Sequence, residues 1–393
     1  MSDVRTTARR THGFTESVIR EMTRVARECG AINLAQGFPD FPAPALLKDA
    51  ACEAIRRDEN QYAITWGAPS LRDALVEKYR SWYGLDVDGD REVTVTCGAT
   101  EAMAAVMLAV VDPGDEVVVL EPFYENYGPD AILSQATPVF LGLEPPDYRL
   151  DADRLRAHVT PRTRAIVLNS PNNPTGRVFG EDELATVAEV CRSQGILAIT
   201  DEIYEHILYE GSHVPLATLP GMKDRTITVS GASKTFSVTG WRVGTIVAPP
   251  PLTEAIRKVH DFLTVGAPAP LQEAVAKGMR GLGQEYYATM AAEYRERRDV
   301  LVAALQDAGF RCQPPEGAYY VLADFSALSR EDDTTFAKRL AREAGVASVP
   351  GSSFFSEADR GRSLVRFAFC KQVETLRAAG ERLKRWDGRS RRG

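Results

Sequence analysis

Between residues 93 and 200, short apolar runs alternate with stretches whose apolar residues recur every three or four positions. Val93-Thr94-Val95-Thr96 and the runs at 116–120, 138–141, 164–168 and 196–200 read as strands, with helices over 100–111, 124–134 and 181–193. Strands followed by helices at this rhythm predict a mainly parallel sheet covered on both faces. Ahead of it, Val18, Met22, Val25 and Ala26 fall at helical spacing and predict a helix over 17–29. A short strand at 32–34, a Pro/Gly-punctuated loop at 37–42 and helices at 44–57 and 70–82 follow, and the first twelve residues read as disordered. Beyond the alternating region, Thr226-Ile227-Thr228-Val229 and the run 243–248 are β-rich. A long charged helix over 285–308 is succeeded by a strand at 319–323, a helix at 334–344, a strand at 364–369 and a last helix at 371–385. That change of texture predicts a second, smaller α+β domain.

Composition narrows the class. The 393 residues are 44% hydrophobic and 26% charged, with a net charge of −7, the profile of a globular enzyme rather than a nucleic-acid partner. Arg9-Arg10 and Arg389-Ser390-Arg391-Arg392 read as solvated tails. Six scattered cysteines without a Cys-x-x-Cys pair, and five histidines (12, 158, 206, 213, 260) without ligand spacing, argue against a metal site or a disulfide framework. The expected location is cytoplasmic: the N-terminus lacks an apolar core before a cleavage site, and no apolar run reaches membrane-spanning length.

Chemistry gathers where strands end. Ligands of parallel sheets sit beyond the carboxyl ends of the strands. Cys97-Gly98-Ala99-Thr100-Glu101-Ala102 joins a strand to a helix; small residues and free amides there can hold phosphate, or simply form a tight turn capped by Thr100. Asn169-Ser170-Pro171-Asn172-Asn173-Pro174-Thr175-Gly176 is a loop whose two amides, four apart, can present fixed donors. Asp201-Glu202-Ile203-Tyr204 follows an apolar strand, so Asp201 is either a partly buried carboxylate needing a partner or a helix cap. In Glu121-Pro122-Phe123-Tyr124-Glu125-Asn126-Tyr127 an aromatic ring can stack on a flat ligand, although core packing is the usual role. Asn60-Gln61-Tyr62 and Gly67 add polar and turn residues. Arg366 lies inside the apolar pattern Leu364–Phe369, and a buried arginine demands an anion. Ser230-Gly231-Ala232-Ser233-Lys234, with Arg242 eight positions later, places Lys234 on a loop between two strands. A lone lysine is ordinarily a solvated charge. Together with a phosphate cradle, a stacking ring, a carboxylate and a carboxylate-binding arginine, it matches the needs of pyridoxal phosphate.

With these residues in place, the chain resembles the fold-type I pyridoxal-phosphate enzymes, specifically class I/II aminotransferases, from about Phe14 to about residue 385. Asn173-Pro174-x-Gly176, Asp201-x-x-Tyr204 and Ser233-Lys234…Arg242 carry the resemblance in order and spacing. Ile32-Asn33-Leu34-Ala35-Gln36-Gly37-Phe38-Pro39-Asp40-Phe41 and Glu121-Pro122-Phe123-Tyr124 are most similar to the kynurenine/glutamine and methionine aminotransferase branch. The resemblance implies a mainly parallel seven-stranded α/β domain sandwiched by helices (45–284), a smaller α+β domain (285–393) and an N-terminal arm partly belonging to it (1–44). It implies transfer of an amino group from an L-amino acid to a 2-oxo acid, 2-oxoglutarate being the expected acceptor, with Lys234 as Schiff-base lysine and proton carrier. Asp201 would pair with the pyridinium nitrogen; Tyr204 and Asn173 would bond the ring oxygen; Tyr124 would stack. Ala99, Thr100, Ser233 and Arg242 would hold the phosphate, with Tyr62 reaching the phosphate of a neighbouring subunit in a homodimer with shared sites. Arg366, helped by Asn173 and Gly37 and with Asn169 beside them, would grip the substrate α-carboxylate. One departure stands out: many relatives carry a serine three residues before the lysine, where this chain has Gly231 between Ser230 and Ser233.

The segment Leu263–Pro268 has no arginine for a side-chain carboxylate, so a neutral, polar or unusual side chain is expected, with Ile19 lining the pocket and Arg20 on a solvated helix face. Rival readings are β-elimination of a cysteine conjugate or cystathionine on the same residues, a specialised biosynthetic use of the same site, a nucleotide-binding enzyme, and a non-catalytic regulator. The nucleotide-binding rival lacks a Gly-x-Gly-x-x-Gly, and Ser233 stands where a P-loop needs glycine.

Overall fold

The computed structural model describes residues 7–386. Its strands, in chain order, are β1 Ile32–Asn33, β2 Val93–Thr96, β3 Glu116–Glu121, β4 Thr137–Gly142, β5 Thr163–Asn169, β6 Leu197–Asp201, β7 Thr226–Gly231, β8 Gly244–Val247, β9 Tyr320–Asp324, β10 Val346–Ala347, β11 Val349–Pro350 and β12 Leu364–Ala368. Seven of them form the central sheet in the order β2-β8-β7-β6-β5-β3-β4. Strand β8 runs antiparallel to both neighbours and the remaining pairs are parallel.

The apolar runs are continuous because both faces of the sheet are covered. Alternate residues divide between two cores. Val117, Val119, Val167, Ile199, Ile227 and Val229 pack with the helix Ala99–Val110 on one face. Val118, Leu120, Ile166, Leu168 and Ala198 pack with the helix Glu181–Gln194 on the other. Each fully buried aliphatic side chain contributes roughly 1.5–3 kcal/mol, so the sheet is a rigid platform whose strand ends point at one edge.

A three-stranded antiparallel sheet, β11-β12-β9, holds Arg366 in its central strand, and β1 pairs in parallel with β10. The N-terminal helix Val18–Cys29 shares one core with C-terminal elements: Met22, Val25 and Ala26 pack with Leu301, Phe336, Phe367 and Leu376. The long helix Gln284–Asp307 lies across helix Val373–Arg385.

Several expectations are corrected. Residues 9–12, expected to be disordered, form a 3-10 turn; residues 1–6 and the basic segment 389–392 lie outside the described residues. Lys234 sits not on a loop but on a one-turn helix, Ala232–Thr235. The helix expected over 124–134 begins only at Tyr127. No helix follows Asp201, so it caps none, and Gly98 rather than Thr100 is the N-cap of helix Ala99–Val110. Helices Pro250–Thr264 and Ala269–Gly281 were not foreseen. Prolines open both, at positions where the missing N–H costs nothing.

Candidate active site

The carboxyl ends of β2, β5, β6 and β7, with the first residue of antiparallel β8, meet at one edge of the central sheet. Strand β6 delivers Asp201, only 6% exposed. Its carboxylate accepts from the Tyr127 hydroxyl at 2.7 Å and the Ile203 amide at 3.2 Å. Burial pushes the Asp201 pKa up, against these two donors and the nearby Lys234 ammonium. It forms no ion pair among the described residues.

Strand β7 delivers Lys234 through the turn Gly231–Thr235. The Ala232 amide bonds the carbonyl of Val243 at 3.1 Å, fixing the turn against β8. Lys234 Nζ lies 5.9 Å from the Tyr204 ring centre and 5.8 Å from that of Tyr319. Burial draws its pKa down to about 8; Cys370 and Asp201 favour the charged form, and Arg242 and Arg366 oppose it. Lys234 and Asp201 therefore influence each other's charge without forming an ion pair among the described residues.

Strand β2 ends in the cradle Gly98-Ala99-Thr100. Gly98 has φ +82° and a Cβ there would lie 2.3 Å from Arg242 Nη2; a Cβ on Gly244 would lie 2.3 Å from the Gly98 carbonyl carbon. Two glycines thus let one backbone turn, the following strand and a guanidinium converge at a helix start, an arrangement suited to phosphate. Arg242 also donates to the Thr239 carbonyl at 3.0 Å and stays exposed, as does Thr100. The two serines separate here. Ser230 turns away and donates to Glu205 at 2.6 Å, whereas the Ser233 hydroxyl has no protein partner among the described residues.

Arg366 is fully buried. It donates to Asn173 Oδ1 at 2.8 Å and to the Ala35 carbonyl at 2.7 Å, and its guanidinium lies 4.2 Å from the Tyr320 ring centre and 5.0 Å from that of Phe354. Its Nε has no partner among the described residues. An unmade bond of this kind costs roughly 1–3 kcal/mol, recoverable when a ligand carboxylate arrives. No protein carboxylate answers the guanidinium, so the structural-anion alternative for Arg366 falls away among the described residues.

The loop after β5 works differently from expectation. Asn169 does not face outward: its amide donates to the Asp201 carbonyl and accepts from the Asn173 amide, both at 2.8 Å. It holds Asn173 and Asp201 in place, and only Asn173 presents its side chain to Arg366. Gly37 receives the Tyr319 hydroxyl on its carbonyl at 3.0 Å, and has no room for a side chain because a Cβ would lie 2.1 Å from the Tyr320 hydroxyl. The Tyr204 hydroxyl is 3.1 Å from that of Tyr320, and the Tyr124 ring meets Tyr127 edge-on. Ile19 is half-buried on the N-terminal helix, beside exposed Arg20. Tyr62 is 85% exposed.

Sequence reasoning missed Tyr127, Tyr319, Tyr320 and Cys370. Tyr127 stood in a quoted motif, and the rest carry no local signal. Burial pushes the Cys370 thiol up to about 11, so it is a neutral neighbour of Lys234.

The chain matches the family described as aminotransferase class I and II over residues 30–383. It is 41% identical to a probable N-succinyldiaminopimelate aminotransferase of Mycobacterium tuberculosis, covering 96% of this chain and 98% of the relative. The solved structure of the N-succinyldiaminopimelate aminotransferase from that organism superposes with a TM-score of 0.94 over 96% of this chain and 99% of the other, at 41% identity. Methionine aminotransferase of Escherichia coli is 38% identical over 94% of this chain and 95% of its own. Human kynurenine–oxoglutarate transaminase 1 is 34% identical over 96% and 98%. All three relatives are named for amino transfer, so the elimination reading is not favoured.

Proposed function

The chain belongs to the class I and II aminotransferase family and moves an amino group between an amino acid and a 2-oxo acid; we propose that it does so with pyridoxal 5′-phosphate held on Lys234. The observation that carries this reading is the convergence at the ends of adjacent strands β6 and β7 of a buried carboxylate, with no ion pair among the described residues, and a buried lysine drawn down to about 8. The donor set fits the cofactor. Gly98-Ala99-Thr100, Ser233 and Arg242 would hold its phosphate, Asp201 its ring nitrogen, Tyr204 and Asn173 its ring oxygen, and Tyr124 its face. When bound, the cofactor supplies an electron sink that accepts the charge left on Cα after proton removal.

The chain's own residues do the rest. Lys234, neutral in good part above pH 8, carries the Cα proton. Asp201 keeps a positive charge on the group it faces, and Tyr127 holds Asp201 in place. Arg366 fixes the α-carboxylate, with Asn173 and Ala35 setting the guanidinium plane. Asn169 is a positioning residue rather than a substrate contact.

Substrate choice rests on Leu263–Pro268, where no arginine awaits a side-chain carboxylate. A donor with a neutral or polar side chain, and 2-oxoglutarate as acceptor, are the assigned partners. Exposed Tyr62, Ile64, Phe262, Leu263 and Val265 lie on two segments that meet at Thr65 and Gly266, and support docking of a second copy with shared sites. The shared core of Met22 and Leu376 supports an N-terminal arm (1–44) that belongs partly to the smaller domain. Six free thiols support a cytoplasmic location; no helix among the described residues is long and apolar enough to cross a membrane.

The test is a half-reaction. Purified protein is mixed with one amino acid at a time, including methionine, kynurenine and N-succinyldiaminopimelate, without acceptor. Loss of the lysine-bound cofactor absorbance, restored by 2-oxoglutarate, is expected. Accumulation of pyruvate and ammonia from cysteine conjugates with unchanged absorbance would replace transfer by elimination.

A further inference from the structure

Several buried ion pairs lie outside the contacts assigned so far, His213–Glu202 and Arg177–Glu183 among them, and one, His260–Glu101, borders the cradle. His260, fully buried on helix Pro250–Thr264, directs Nδ1 at the two carboxylate oxygens of Glu101, at 3.0 and 3.1 Å. Its Nε2 lies 2.9 Å from the carbonyl oxygen of Thr65. A carboxylate and a carbonyl only accept, so both ring nitrogens donate and His260 is an imidazolium. The Thr264 hydroxyl, 3.3 Å from Nδ1, can accept as well. Burial opposes the charge, but Glu101 and the Thr65 carbonyl outweigh it and raise the pKa, with a smaller contribution from Asp261.

Each partner of this pair leads somewhere useful. Glu101 stands in the first turn of helix Ala99–Val110 and accepts the Cys97 amide at 3.0 Å, fixing the residue before Gly98. Thr65 follows exposed Tyr62 and Ile64. Thr264 and Gly266 flank exposed Val265, and the Cys97 thiol donates to the Gly266 carbonyl at 3.4 Å. Three chain segments, far apart in sequence, therefore share one charge pair.

We propose that His260 is a positioning residue for the cofactor phosphate: with Glu101 it ties the Gly98-Ala99-Thr100 cradle to the two segments that meet a second copy of this chain. Occupation of the cradle and docking of the second copy then favour each other, because whichever orders the shared pair first lowers the ordering cost of the other. The proposal rests on the cofactor and dimer reading above.

The experiment compares wild type, His260→Gln, Glu101→Gln and the double variant. Glu101→Gln keeps the shape of the side chain and guards against a His260 variant that fails to fold. Cofactor-free protein is titrated with pyridoxal 5′-phosphate and, separately, with pyridoxal lacking the phosphate, while sedimentation follows the dimer fraction. Each single variant is expected to lose about ten-fold in affinity for the phosphorylated compound, the worth of one charge-assisted hydrogen bond. Affinity for pyridoxal stays unchanged, the double variant is no worse than the weaker single, and inorganic phosphate raises the dimer fraction of wild type alone. Normal wild-type binding with unaltered variants, or equal losses toward both compounds, would overturn the proposal alone. Wild type indifferent to pyridoxal 5′-phosphate would overturn it together with the functional reading.

Discussion

Among the described residues, Lys234, Asp201 and Arg366 are each incomplete: an amine without an ion-pair partner, a carboxylate without one, a guanidinium with an idle Nε. Each deficit makes a prediction. Lys234 titrates near pH 8 because burial disfavours its charge. The rate at which cofactor-free protein captures pyridoxal 5′-phosphate therefore rises with pH through about 8 and levels off above it, as stopped-flow absorbance will show; a rise delayed to about pH 10.5, the ordinary lysine range, would contradict this. Arg366→Lys loses the planar fork held by Asn173 and Ala35. Losing at least about 2 kcal/mol of carboxylate binding raises KM for every amino acid roughly thirty-fold or more, with kcat changed less, in steady-state assays. These three residues were legible only in company: each alone has an ordinary explanation, a solvated charge, a helix cap or a structural ion pair, and it was their combination with a phosphate cradle and a stacking ring that pointed to one site. Tyr127, Tyr319 and Tyr320 were not, because an aromatic residue in an apolar pattern looks the same whether its hydroxyl serves a site or the core.

At the level of elements, two turns decide whether the site assembles. Gly98→Ala would place a methyl group 2.3 Å from Arg242 Nη2 on a residue with φ +82°. Strain and steric overlap together should weaken cofactor retention by roughly 1–3 kcal/mol, about five-fold or more, measured by dialysis against buffer; retention equal to wild type would remove the cradle assignment. The loop bearing Gly37 is tied to the end of the Arg366 segment. Asp40 accepts the Thr375 hydroxyl at 2.9 Å, at the start of helix Val373–Arg385, and Lys371 Nζ donates to the Phe38 carbonyl at 2.7 Å. Asp40→Ala should cost about 1 kcal/mol, as loss of a helix cap does, and raise KM by loosening Gly37; a thermal melt and a kinetic assay measure the two effects. The strands of the central sheet were readable from their apolar runs. The helix under Lys234 was not, since four residues carry no period, and Pro249, Pro250 and Pro268 masked two longer helices whose first turns they begin.

For the whole molecule, the proposed function has Tyr62, 85% exposed in a single chain, reach the cofactor of a neighbouring subunit. Mixing Lys234→Ala with Tyr62→Ala subunits should then restore activity at a cofactor concentration where each parent is inactive, because one of the two sites in the mixed dimer has both residues intact. Failure to recover activity, with mixed dimers demonstrated, would sink the shared-site arrangement. How two copies meet was beyond the periodicity of one chain, for an interface is an exposed apolar patch until its partner is present. All three scales converge on one atom, Lys234 Nζ. The most direct measurement is a peptide map of the purified holoenzyme after borohydride reduction. A phosphopyridoxyl mass on the peptide containing Lys234, and on no other lysine, is the predicted result; a label elsewhere, or none on a catalytically active preparation, would contradict the account.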